Sequence, residues 1–123
     1  MKKIKVLDVV NIYRAFNDVS LYGVPMEDAK AFMRFRREAR PVALGWDEQV
    51  KEALEKLKGE TIAEEQLYKH LDEAMEDEAL REVEITPFAF SNDGEDMILP
   101  QMRVVGGQWE AMKEALKPVA KEQ

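Results

Sequence analysis

Residues 26–58 read MEDAKAFMRFRREARPVALGWDEQVKEALEKLK. Phe32, Ala39, Trp46 and Ala53 recur there at seven-residue intervals, and Phe35, Val50, Leu54 and Leu57 widen the stripe they form. Seven residues are close to two turns of an α-helix, so these side chains share a face and predict long helical structure facing a core. Pro25 suits the first helical position, where a missing amide costs no bond, and Glu27 and Asp28 suit the positive end of the helix dipole. Lys56 and Lys58 suit the opposite end, and Gly59 can close the helix in the left-handed conformation. Continuity is threatened at Pro41, which removes an amide and crowds the preceding turn, with Gly45 shortly beyond. Division into two helices at Pro41, with Asp47 capping the second, is therefore expected over a simple kink.

Downstream, Thr61-Ile62-Ala63-Glu64 matches a capping box, in which the Thr hydroxyl and the Glu carboxylate reciprocally satisfy free amides. Ile62, Leu67, Leu71, Ala74 and Met75 then form an apolar stripe reaching towards Leu80, and the short link at Gly59 and Glu60 implies an antiparallel helical hairpin over about residues 26–82. Upstream, Ile4 and Val6 alternate with Lys3 and Lys5, the pattern of a short strand. Asp8 is expected to cap a helix carrying Val9, Val10, Ile12, Tyr13, Phe16 and Val19, with Gly23 as its stop. Near Arg81 the period changes, and Val83 and Ile85 predict an extended segment pairing with the strand at Ile4, since neither is long enough to persist alone. Ser91-Asn92-Asp93-Gly94 is a turn by composition. Met97-Ile98-Leu99 is too short to assign, and Gly106-Gly107 is a joint before a last helix with Trp109, Met112 and Leu116, ended by Pro118. The expected fold is mainly α, a helical hairpin with a minor two-stranded β element, in one domain spanning residues 1–123. With 46% hydrophobic residues the chain can fill one modest core.

Several function classes find no residues to carry them. Cysteine is absent, which excludes disulfides, thiolate zinc sites and a thiol nucleophile. No window approaches a membrane span, and Asp8, Asn11, Arg14 and Asn17 interrupt any signal-peptide apolar region, so a soluble, cytoplasmic protein starting near Met1 is expected. His70 is the only imidazole, and a helical Glu-x-x-His metal pair would need Glu where Leu67 stands. Residues 92–96 are acidic but lack the ligand ladder of a calcium loop. Gly106-Gly107 is followed by Gln108-Trp109 rather than a phosphate-loop Lys, and neither Ser20 nor Ser91 sits in a nucleophile elbow. No catalytic, cofactor-binding or metal-ligating residue is expected, and the chain is read as non-enzymatic.

Charge is unevenly spread. Residues 1–45 hold nine Lys or Arg against five Asp or Glu, a net +4, so the remainder of a chain of net −7 carries −11. If the fold keeps these parts apart, the basic part can meet an acidic partner while the acidic part repels nucleic acid. Arg34, Arg36, Arg37 and Arg40 concentrate the positive charge, with Arg34, Arg37 and Arg40 on one helical face. The plainer expectation is that they pair with the chain's own acidic stretch, residues 64–84; the sharper one is that they bind an acidic protein or, alternatively, nucleic acid phosphates. The hairpin is also rich in apolar side chains, and one seam between two helices is not expected to bury them all. Trp46 and Leu67 are therefore expected at a contact surface, for a second copy of the chain or for another protein.

The order of short strand, helix, long hairpin, short strand and last helix, beginning Lys3-Ile4-Lys5-Val6-Leu7-Asp8, resembles small helical proteins of bacteriophage and prophage gene clusters. Residues 41–46 depart from an uninterrupted hairpin. The resemblance implies a role as an assembly accessory or as an inhibitor of a host protein.

Overall fold

The computed structural model describes residues 1–59, 62–104 and 106–119. Strand β1 (Lys2–Lys5) leads into helix α1 (Val6–Ala15), followed by α2 (Met26–Lys58), α3 (Glu64–Leu80), strand β2 (Glu82–Ile85), α4 (Asn92–Ile98), a 3-10 turn at Leu99–Gln101 and α5 (Gly106–Leu116). The fold is mainly helical with one small antiparallel sheet, as the sequence predicts. Ile4 stands opposite Val83, while Lys3 faces Glu84 and Lys5 faces Glu82. Ile4 and Ile85 are buried, and the opposed charges add about 0.2–1 kcal/mol per pair on the open face.

Most departures from expectation concern where helices begin and end. The strand passes into α1 with no loop: the Val6 amide donates to the Arg81 carbonyl at 2.8 Å, so the first free amide is satisfied without a side-chain cap. Asp8 therefore lies in the first turn rather than at the cap. Helix α1 ends at Ala15, well before Gly23. Asp18 turns the chain with φ 64°, a left-handed conformation that a short polar side chain tolerates, and Gly23 turns it again at φ 80°. Pro25 is the cap residue of α2 rather than its first helical residue. The N-cap of α3 is Ala63, so Glu64 opens the helix instead of closing a capping box; Thr61 lies outside the described residues. Residues 91–94 are not a free turn, because the Ser91 hydroxyl accepts the Gly94 amide at 3.1 Å and caps α4. Gly106 and Gly107 form the first turn of α5, and that helix ends at Leu116, ahead of Pro118.

The largest correction is at Pro41, which lies inside an unbroken α2. Proline in a helix interior costs about 3 kcal/mol through the lost bond to the carbonyl four residues earlier. Here Pro41 and Arg37 are both exposed, so water can satisfy the freed carbonyl. The buried side of α2 continues past the proline without interruption, from Phe32, Phe35 and Ala39 to Ala43 and Trp46. Packing on both sides outweighs the local cost.

Two clusters of buried side chains hold the elements together. In the larger, Phe16 lies parallel to Phe32 at 4.6 Å and edge-on to Phe35 at 5.4 Å, with Phe90 and Trp109 beside it. The smaller joins Val6 and Val10 of α1 to Trp46 of α2 and Met75 of α3. Val42 and Val83 pack against both, so the clusters adjoin.

Candidate protein-docking face

Helix α3 packs on the second half of α2, against Val42, Trp46, Val50 and Ala53. The arginines lie on the first half. Exposed Arg37, Arg40 and Leu44 lie on the face of α2 opposite Val42, Trp46, Val50 and Ala53, the residues that receive α3. The continuous helix thus turns Arg37 and Arg40 away from the acidic α3.

This separation overturns the expectation that the arginines pair with residues 64–84. Among the described residues, none of Arg34, Arg36, Arg37 and Arg40 forms an ion pair. Nearby carboxylates are engaged elsewhere. Glu38 accepts from the Thr86 amide and hydroxyl, both at 2.8 Å; Asp28 is buried against Ser91; Asp47 binds Arg14 at 2.8 Å. The guanidinium groups are left with their charge uncompensated.

Arg36, Arg37 and Arg40 line a shallow cleft of about 520 Å3 together with Tyr13, Pro41 and Leu44. Arg36 lies over the Tyr13 ring, 5.0 Å from its centroid, and donates to Asn17 Oδ1 at 3.2 Å. That contact holds one guanidinium in place while Arg37 and Arg40 extend into solvent. Arg34 is not part of the cleft lining: it is half-buried, and its Nε is buried without a hydrogen-bond partner. The expected trio of Arg34, Arg37 and Arg40 is thus replaced by Arg36, Arg37 and Arg40.

The other candidate residues sit elsewhere. Trp46 is 8% exposed and belongs to the smaller core cluster, so it is unavailable to a partner. Leu67 is half-buried on α3, apart from the cleft. Phe32 and Phe35 are core residues, and α1 covers much of the hairpin's apolar surplus. Three contributors were not expected. Met33 is 62% exposed and Leu44 55% exposed, and with Arg37 and Arg40 they fall on a 33, 37, 40, 44 ladder that shares one helical face. That ladder is written in the sequence, off the heptad stripe. Tyr13 packs against the larger core cluster, and the packing of α1 on α2 also sets its ring beneath Arg36.

Other polar clusters tie the fold together. Glu95 accepts from the Trp109 indole at 2.8 Å and from Lys113 at 3.1 Å, joining α4 to α5. The Trp109 bond, then Lys113, holds the Glu95 carboxyl below the usual carboxylate range. His70 lies 3.8 Å from Glu73 on an accessible face. Among the described residues no group of His, Asp and Glu is arranged to hold a metal ion, and no helix is long and apolar enough to cross a membrane. No protein-family model, curated protein or solved structure matches this chain.

Proposed function

We propose that this chain is a non-catalytic interaction protein that docks an acidic face of a partner protein on the first half of α2. The observation that carries this reading is the uncompensated charge of Arg37 and Arg40 among exposed Met33 and Leu44. Arginine, methionine and aromatic residues are enriched at protein interfaces, where guanidinium groups bind carboxylates in a bidentate fashion and apolar neighbours exclude water. A nucleic acid is the second reading, favoured by the clustered arginines. It fits less well, because a polyanion extending beyond the short cleft meets a chain whose residues after 45 carry −11. An assembly accessory or an inhibitor of a host protein, of phage origin and acting in the cytoplasm, suits a chain whose layout resembles phage proteins and which works through surface complementarity.

The test is capture of partners from the native host by wild type and by Arg37→Glu/Arg40→Glu, with bound proteins identified. The variant is expected to lose the specific partner while keeping its fold, since both side chains are exposed and unpaired among the described residues. Retention of the same partner by the variant would sink the assignment. In parallel, mixed DNA and RNA at low salt are expected not to bind. Binding that weakens steeply as salt rises would put the nucleic-acid reading in its place.

A further inference from the structure

The solvent face of α2 carries Met26, Lys30, Met33, Arg37, Arg40 and Leu44, all exposed and spaced by three and four residues. Such spacing makes one stripe about 27 Å long. Helix α3 bears a second stripe of the same spacing, Glu65, Lys69, Asp72, Glu76 and Leu80, also exposed throughout. Across α3 as a whole, seven carboxylates face one Lys. The two stripes have opposite charge and similar length. Within one molecule they do not meet, because α3 packs on the face of α2 that carries Val42, Trp46, Val50 and Ala53, and the basic stripe lies on the opposite face.

We infer that a second copy of this chain occupies the docking face, in a two-fold dimer that sets the basic half of each α2 beside the α3 of the other. This rests on the docking reading above and names its occupant. A two-fold axis crossing α2 near Leu44 exchanges the basic and acidic ends of the molecule, so one operation satisfies the same charge pairing twice. Exposed Leu44 then lies near its own copy, and Met33 and Leu80 supply further apolar surface along the seam. Both stripes are otherwise left facing solvent with opposite charges.

The test is sedimentation equilibrium from about 5 to about 200 µM protein, after nuclease treatment. Wild type is expected to shift from monomer to dimer mass at about 20 mM salt and to weaken at about 500 mM. Arg37→Glu/Arg40→Glu and, separately, Asp72→Lys/Glu76→Lys are each expected to self-associate at least about tenfold more weakly, because like charges face each other across the seam. All four positions are exposed, so circular dichroism should show both variants folded. Mixed one to one, the two variants should form a heterodimer, since every altered contact again joins opposite charges. A wild-type monomer at every concentration, a mixture that stays monomeric, or association that disappears with nuclease overturns the dimer. If wild type is monomeric while Arg37→Glu/Arg40→Glu still loses its captured partner, the dimer fails and the docking reading survives; if capture is also unaffected, both fail.

Discussion

Asp28 is 5% exposed, a carboxylate taken almost wholly out of water. Its place is made by three neighbours: the Ser91 amide donates to it at 2.8 Å, the Ser91 hydroxyl donates to its other oxygen, and Gly94 leaves room for it. A Cβ at Gly94 would run into that carboxylate. Gly94→Ala is therefore expected to destabilise the fold by about 1–3 kcal/mol in urea denaturation, the usual cost of overfilling a packed site. A midpoint equal to that of wild type would show that the approach is not close. Glu95 offers a prediction in pH. Its folded pKa is lowered, first by the Trp109 bond and then by Lys113, so its contribution is present above the ordinary carboxylate range and lost as pH falls through the folded value. The stability gap between wild type and Glu95→Gln should accordingly narrow below about pH 4. A gap that stays constant with pH would rule out the charge-assisted bond. Lys113 runs the other way: Glu95 raises its pKa, so its part is present at neutral pH and lost only as pH rises through the folded value.

Helix α2 is the element on which the charge arrangement depends, and it carries two residues that oppose it. Gly45 is exposed, and a Cβ added there meets nothing within 4 Å. Gly45→Ala should therefore stabilise the protein by about 1 kcal/mol, the propensity difference in a helix interior. Pro41→Ala should stabilise it further, by up to about 3 kcal/mol, because the position is exposed and the restored amide can bond within the helix. Thermal unfolding measures both; a lowered midpoint for Pro41→Ala would mean that the ring makes packing contacts worth more than the missing bond. Pro41 also lines the cleft beside Arg37 and Arg40, so the variant separates the helix-breaking cost of the residue from its place at the surface.

Across the whole molecule, Phe16 is the residue through which the helices and the segment after β2 meet, since its ring contacts Phe32, Phe35, Phe90 and Trp109. It is fully buried. Phe16→Ala should cost about 3–5 kcal/mol, a large share of the stability of a domain this size, and should quench the cooperative unfolding transition at 37 °C. A modest loss of about 1 kcal/mol would mean that the aromatic cluster collapses to fill the space. Exposed Arg37 and Arg40 are the opposite case: they hold no partner among the described residues, so altering them should change association and leave folding as it was.

The helical periods, the short paired strands and the lopsided charge were all legible in the linear order of residues, because each depends on neighbours within a few positions. Val83 and Ile85 could be paired with the strand at Ile4 because a short strand needs an edge and few candidates exist. Helix ends were less legible. Asp8, Gly23, Thr61 and Ser91 are all plausible punctuation, and which of them acts as a cap depends on bonds from distant segments, such as the Arg81 carbonyl at Val6 and Asp28 at Ser91. The same holds for the surface. Trp46 and Leu44 are both apolar residues of α2, and only the packing of α1 and α3 decides that the first is core and the second faces water. Local sequence determined that there would be long helices and opposed charges. Tertiary packing alone decided that Pro41 would not break α2, and that α3 would cover the face of α2 opposite Arg37 and Arg40, so that the basic and acidic charges do not neutralise each other.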